Sequence, residues 1–169
     1  IHRDAGLAAT LHRLRSAGKK LFLLTNSRWA YTDRMMNHLL AGALPEYGHW
    51  RNYFDLVVVA ATKPLFFTER RPFLERVFDG PQESVRAAYS LERGRVYENG
   101  NLRDFERMIN ARGDRILYVG DHIYGDILRS KKDSAWRTAM IVQEMEDEFA
   151  ALERTRERLT ELDARDRER

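Results

Sequence analysis

Short apolar runs alternate along the chain with segments whose apolar residues recur at helical spacing. The runs occupy residues 21–24, 56–60, 116–119 and 139–142. Each is apolar at consecutive positions rather than at every second one, which is typical of strands buried on both faces of a parallel sheet. Because helical patterns separate the runs, the chain is predicted to fold as an α/β domain with a parallel sheet and flanking helices.

The helical segments have recognisable beginnings and ends. The first carries Leu7, Leu11 and Leu14 on one face, and Gly18 is placed to end it. A second helix is predicted around residues 35–40. Asn101 is predicted to cap the N-terminus of a helix that Gly113 ends. A further, short helix is expected to begin at residues 127–128.

The stretch from residue 64 to about residue 100 is irregular, and small β-hairpins are predicted there. Its breaks are Gly80-Pro81, Gly94 and Asn99-Gly100. The expected organisation is an α/β core over residues 1–142 with this hairpin insertion, followed by a charged helix over residues 143–169. The helix has a narrow apolar stripe formed by Met145, Phe149, Leu152 and Leu159. The stripe follows a heptad that Arg156 interrupts, so packing against a partner helix is one interpretation.

Composition narrows the class of protein. The chain has 29 basic and 26 acidic side chains, and this small, dispersed excess argues against a nucleic-acid-binding surface. The absence of cysteine excludes disulfides and thiolate chemistry. No apolar run approaches the roughly 20 residues of a membrane span, and no signal peptide is visible. A cytoplasmic setting is therefore expected. Both ends, Ile1 and the charged run after residue 162, are expected to be cuts in a longer protein.

Polar residues follow the first two apolar runs. Thr25, Asn26 and Ser27 stand between a strand and a helix, where a hydroxyl and backbone N–H groups form a phosphate cradle. The alternative is simple N-capping by Ser27. Lys63 follows the second run, where its charge would neutralise a phosphate. A lone lysine in a loop is, however, more often solvated surface.

Two carboxylates follow the third run. Asp121 and Asp126 lie five residues apart in the segment after it. Hard oxygen ligands of this kind suit Mg²⁺, which takes one or two carboxylates together with waters and substrate phosphate. The alternative makes Asp126 a helix cap and Asp121 a turn residue. Ligands of parallel α/β sheets bind beyond the carboxyl ends of the strands, so all these groups are expected at one edge.

The chain order of cradle, lysine and paired aspartates resembles motifs II, III and IV of the haloacid dehalogenase superfamily. Longer blocks resemble its cytosolic purine 5′-nucleotidase family over about residues 7–150. The blocks are Leu24-Thr25-Asn26-Ser27 with Tyr31-Thr32-Asp33, Lys63-Pro64-Leu65-Phe66-Phe67, Gly120-Asp121-His122-Ile123-Tyr124-Gly125-Asp126, and Trp136-Arg137-Thr138. The resemblance implies a Rossmann-like core of the haloacid dehalogenase type.

The resemblance also implies roles for individual residues. Thr25, Asn26 and Ser27 would bind the substrate phosphate. Lys63 would bridge the phosphate and the nucleophile. Asp121 would ligate Mg²⁺, with Asp126 in support. Tyr124 and Lys132 match positions near a nucleotide effector site of the family.

The implied reaction is Mg²⁺-dependent hydrolysis of nucleoside 5′-monophosphates, IMP and GMP above all, through an aspartyl-phosphate. The family's motif I, Asp-x-Asp-x-Thr/Val, is absent here, and Arg28-Trp29 departs from the family pattern. The nucleophile, the general acid and the substrate-gripping cap are therefore expected in an N-terminal segment, on the same protein or a separate chain. The chain alone is expected to be inactive.

Two alternatives remain open. The first is a phosphatase of the same chemistry acting on another phosphomonoester, because substrate choice lies in the cap. The second is a non-catalytic nucleotide-sensing or scaffold protein that has lost motif I. A homo-oligomer without nucleic-acid or membrane partners is expected in each case.

The resemblance makes one prediction about the sheet itself. In such cores the motif I strand lies between the strands that carry motifs II and IV. The strands at residues 21–24 and 116–119 are therefore expected not to pair with each other. They should lie two strand spacings apart, roughly 9–10 Å, and flank a place that this chain does not fill.

Overall fold

The described structure, a computed structural model, covers residues 3–78, 84–123 and 129–167. Its helices are α1 (Gly6–Ser16), α2 (Trp29–Leu40), α3 (Leu65–Thr68), α4 (Leu102–Ile109), α5 (Arg129–Asp133) and α6 (Glu144–Arg167). Its strands are β1 (Phe22–Leu24), β2 (Leu56–Val59), β3 (Phe73–Val77), β4 (Ser84–Ala88), β5 (Val96–Asn99), β6 (Leu117–Gly120) and β7 (Arg137–Met140). None of the helices in this part of the chain combines the length and the apolar character that crossing a membrane would require.

The larger sheet has the strand order β1-β2-β5-β3-β4. β1 pairs parallel with β2, and β2 pairs parallel with β5. β3 pairs antiparallel with both β5 and β4, so β3 and β4 extend the parallel part of the sheet as a hairpin. The predicted α/β class, with a parallel sheet and flanking helices, is confirmed.

The consecutive apolar residues of β2 are explained by packing on both faces of the sheet. Val57 and Val59 pack into one cluster with Leu40 and Trp50, which come from α2 and the 3₁₀ helix Trp50–Tyr53. Val58 points the other way, into the cluster built around α3 and α4. All three valines are buried, so the strand has helical segments on both sides, as an interior parallel strand requires.

The smaller sheet consists of β6 and β7, which pair in parallel. Aromatic packing joins it to the larger sheet: Trp136 contacts Phe22, Phe67 and Phe105 at ring-centroid distances of 5.8 to 6.0 Å. Among the described residues, β1 is hydrogen-bonded only to β2, and β6 only to β7. The expectation that β1 and β6 do not pair directly is therefore confirmed.

One face of β6 is open as well as one edge. Leu117 and Val119 are 58% and 52% exposed, whereas Tyr118 between them is buried. Side chains of a strand alternate between its faces, so the two exposed residues lie on the same face. These two side chains leave one apolar face of β6 exposed to solvent.

Two boundaries differ from the sequence-based expectation. β7 begins at Arg137, two residues before the apolar run, because buried Trp136 fixes the entry and Arg137 N–H donates to the Ile116 carbonyl. α4 ends at Ile109, since Asn110 adopts the left-handed conformation (φ 51°) that was expected of Gly113. Within residues 64–100, β3 and β4 form a hairpin, and β5 pairs parallel with β2 and antiparallel with β3.

The predicted N-cap of α4 is confirmed. The Asn101 side chain accepts from the Asp104 N–H at 3.0 Å and donates to the Asp104 carboxylate and the Arg71 carbonyl. The Arg107 guanidinium also donates to the Asp104 carboxylate. The hydrogen bonds from Asn101 and Arg107 lower the pKa of the Asp104 carboxyl. The preceding Gly100 has φ 90°, and a side chain there would overlap the Phe73 ring, so glycine is required at this turn.

Candidate active site

The loops that follow β1 and β2 are hydrogen-bonded to each other. The Ala60 N–H donates to the Ser27 carbonyl at 2.8 Å, and the Ala61 N–H donates to the Thr25 carbonyl at 3.0 Å. β1 and β2 are parallel neighbours, so their carboxyl ends meet at the same edge of the sheet. The two segments predicted to bind phosphate, residues 25–27 and Lys63, are therefore brought together.

The loop after β2 has a strained backbone. Ala60 and Thr62 have φ values of 46° and 56°, which side-chain-bearing residues rarely adopt. Such conformations persist only where surrounding contacts enforce them, and they concentrate at functional sites. Here the enforcing contacts are the hydrogen bonds to the loop after β1, and the conformation presents Lys63.

Asn26 fixes the backbone of Lys63. Its side-chain oxygen accepts from the Lys63 N–H at 2.6 Å, and its amide nitrogen donates to the Lys63 carbonyl at 2.8 Å. The amide oxygen and the amide nitrogen of Asn26 thus both bond to the backbone of Lys63. The arrangement makes the position of Lys63 depend directly on Asn26.

The ammonium group of Lys63 joins the two sheets. Its Nζ atom donates to the Leu24 carbonyl at 3.1 Å and to the Tyr118 hydroxyl at 2.6 Å. Leu24 ends β1, and Tyr118 lies in the middle of β6. Lys63 therefore contacts the backbone at the end of β1 and a side chain of β6 at the same time.

Thr25 and Ser27 form a tight turn before α2. The Thr25 hydroxyl oxygen accepts from the Ser27 N–H at 3.1 Å. The Thr25 O–H can therefore still donate a hydrogen bond to another group. The alternative of an N-cap at Ser27 is wrong, because Arg28 is the N-cap residue and makes no capping side-chain hydrogen bond. Phosphate binding by Thr25, Asn26 and Ser27 stays a prediction.

Asp121 directly follows β6, and its side chain is exposed. Within residues 3–78, 84–123 and 129–167, no group of three or more histidine or carboxylate side chains is arranged to hold a metal. Mg²⁺ does not need such a cage, because water and substrate phosphate complete its coordination around one or two carboxylates. The accessible carboxylate of Asp121 fits that partial role.

The remaining predicted residues take no part in the hydrogen bonds described for this cluster or lie outside the described residues. Asp126 and Tyr124 fall outside the described residues. Lys132 lies in α5 with an exposed side chain. Its assignment to an effector site stays a prediction.

Sequence reasoning missed two features of the site. It treated Tyr118 only as part of an apolar strand, although its hydroxyl contacts Lys63. The sequence pattern indicated a phosphate contact for Asn26 but not the two hydrogen bonds between its side chain and the Lys63 backbone. A tyrosine inside an otherwise aliphatic run was the available signal for the first, since a buried hydroxyl needs a partner. The second depends on a contact between residues 37 positions apart, which sequence spacing does not reveal.

Comparison with known proteins identifies relatives of the chain. A sequence profile of the 5′ nucleotidase family matches residues 1–169. The 5′-nucleotidase domain-containing protein 2 of Homo sapiens is 43% identical over 142 residues, which cover 83% of this chain and 26% of that protein. Its counterpart in Rattus norvegicus is equally similar, with 24% of its length covered. The chain thus spans about a quarter of the length of these relatives.

Proposed function

This chain belongs to the 5′ nucleotidase family, and on that premise we propose that the complete protein is a Mg²⁺-dependent phosphatase of nucleoside 5′-monophosphates that prefers purine nucleotides. Family membership supports the hydrolysis of nucleoside monophosphates in general. The metal, the base preference and the residue roles are the proposal. The observation that carries it is the position of Lys63, which is fixed by Asn26 at the carboxyl ends of β1 and β2 and beside β6.

In the proposed reaction, an aspartate from outside this chain attacks the phosphorus and the bond from phosphorus to the 5′ oxygen breaks. The general acid, also expected outside this chain, protonates that oxygen, and the nucleoside leaves. An aspartyl-phosphate is formed, and water then releases the phosphate. Lys63 offsets the negative charge on the phosphoryl oxygens and orients the attacking carboxylate. The Thr25 hydroxyl donates a hydrogen bond to a phosphoryl oxygen.

Mg²⁺ would be held by Asp121, supported by Asp126, and would supply additional charge neutralisation at the phosphoryl group. Asp121 follows β6 three residues after Tyr118, whose hydroxyl contacts Lys63. The proposed metal ligand therefore follows the strand whose Tyr118 contacts the lysine of the proposed phosphate site, which supports assigning both to one active site.

The nucleophile is proposed to come from a strand that lies between β1 and β6. Both strands have an edge without a strand partner among the described residues, and an edge of apolar strands left open is an aggregation liability. The chain spans about a quarter of its relatives' length, so a strand from elsewhere in the complete protein is the proposed occupant. Its carboxyl end would be adjacent to Lys63.

A substrate panel tests the proposal. The full-length protein is incubated with purine and pyrimidine 5′-monophosphates and with sugar phosphates, with Mg²⁺ or with a chelator, and phosphate release is measured. We expect release that requires Mg²⁺ and is fastest with IMP or GMP. Preference for a sugar phosphate would indicate a phosphatase with another substrate. No release from any compound would contradict the proposal and favour a non-catalytic protein.

A further inference from the structure

Tyr118 is held rigidly by its neighbours. Its side chain is 4% exposed. The ring packs against Phe67 and Trp136 at centroid distances of 6.2 and 5.8 Å, both edge-on. Because these large side chains fix the ring, the position of the hydroxyl is fixed as well.

The contact between Lys63 and Tyr118 is a hydrogen bond rather than a cation–π contact. The Nζ atom lies 2.6 Å from the hydroxyl oxygen and 5.3 Å from the ring centroid. These two distances place the ammonium beyond the hydroxyl, in line with the ring, and not over the ring face. The hydroxyl oxygen is therefore the group that acts on the ammonium.

The acceptors at Tyr118 and at the Leu24 carbonyl are both uncharged. Both hold the ammonium from fixed positions, one at the end of β1 and one on a buried ring of β6. Asn26 fixes the lysine at its backbone, and the two acceptors fix it at the far end of a flexible side chain. Holding a charge before the substrate arrives avoids the cost of ordering it during the reaction.

From this geometry we propose that Tyr118 is a positioning residue that holds the Lys63 ammonium against the carboxyl end of β1, ready for a phosphoryl group. The expected effect on kcat rests on the proposed function. The expected dependence of the Lys63 ammonium on the Tyr118 hydroxyl is a structural statement and does not rest on that function. Separate experiments can therefore test the two.

The kinetic arm compares two full-length variants that each lose one buried hydroxyl. Tyr118→Phe removes the hydroxyl at Lys63. Tyr97→Phe is the matched control, because the buried Tyr97 hydroxyl accepts from the Glu92 N–H at 2.7 Å. We expect Tyr118→Phe to lower kcat about tenfold with little change in KM, since one lost hydrogen bond to a charged group is of that size. Tyr97→Phe should keep the wild-type kcat.

A second measurement does not need activity. The acetylation rate of Lys63 by acetic anhydride is followed by peptide mass spectrometry, with exposed Lys19 as the internal reference. Tyr118→Phe should raise the Lys63 rate severalfold relative to Lys19, and Tyr97→Phe should not. An unchanged rate in Tyr118→Phe would overturn the inference.

Combining variants separates positioning from general support of the fold. If Tyr118 acts through Lys63, adding Tyr118→Phe to Lys63→Arg should lower kcat no further, whereas independent effects would multiply and contradict the inference. If the wild-type protein releases no phosphate from any nucleotide, the proposed function fails. The labelling rates then decide the role of Tyr118 alone.

Discussion

Individual polar side chains in this site act on one another before any substrate is present. Asn26 uses both ends of its side chain on the Lys63 backbone, and the Tyr118 hydroxyl accepts from the Lys63 ammonium. Ala60 and Thr62 hold strained conformations in the loop that presents Lys63. These features concentrate on one residue, which indicates that the position of Lys63 matters more than that of an ordinary surface lysine.

Lys63→Ala in the full-length protein tests this at the residue scale. The positive charge is needed most when negative charge develops on the phosphoryl group, so the variant should lose kcat by several orders of magnitude rather than only gain KM. Lys19→Ala, at an exposed position before β1, is the control and should leave both constants unchanged. A change in KM alone for Lys63→Ala would contradict its proposed role, because it would indicate binding without transition-state stabilisation.

At the scale of elements, β1 and β6 each have one paired edge and one edge without a strand partner in the described structure. The direction of the backbone groups follows from the observed hydrogen bonds. The Thr25 N–H donates to β2, and the Leu21 carbonyl accepts from the Asp55 N–H. Backbone groups of successive residues alternate in direction, so the N–H and C=O groups of Phe22 and Leu24 point to the open edge of β1. The Ile116 and Gly120 carbonyls accept from the N–H groups of Arg137 and Ile141, on the side of β7. The backbone N–H and C=O groups of Leu117 and Val119 therefore point to the open edge of β6.

Hydrogen exchange of the full-length protein tests whether a strand fills this gap. If it does, the amides of Phe22, Leu24, Leu117 and Val119 should be protected for as long as that of Thr25, which already bonds to β2. The comparison is made residue by residue, so Thr25 serves as the reference within the same protein. Exchange of the four amides at the rate of an exposed loop would show that nothing pairs with these edges.

At the scale of the whole molecule, the α/β class followed from the apolar runs. Consecutive apolar residues such as those of β2 are typical of strands that are buried on both faces. The meeting of residues 25–27 with the loop that carries Lys63 also followed, since neighbouring parallel strands place their carboxyl ends together. What sequence could not provide was contact between distant residues. The Lys63–Tyr118 bond joins residues 55 positions apart, and the left-handed Asn110 replaced a glycine as the end of α4.

The strand boundaries were least predictable where burial and hydrophobicity disagree. β7 includes charged Arg137 and stops before Ile141, which is 56% exposed. Pairing with β6 and the burial of Trp136 decide the position of this strand.

The central claim is that this edge of the sheet binds Mg²⁺ and hydrolyses phosphomonoesters, and Asp121→Asn tests it most directly. The change keeps the size of the side chain and removes its charge. The full-length variant is compared with wild type and with Asp114→Asn, which changes an exposed aspartate outside the candidate site. We predict that Asp121→Asn loses Mg²⁺-dependent phosphate release, that Asp114→Asn retains it, and that all three proteins unfold at similar temperatures. Full activity in a folded Asp121→Asn protein would contradict the account.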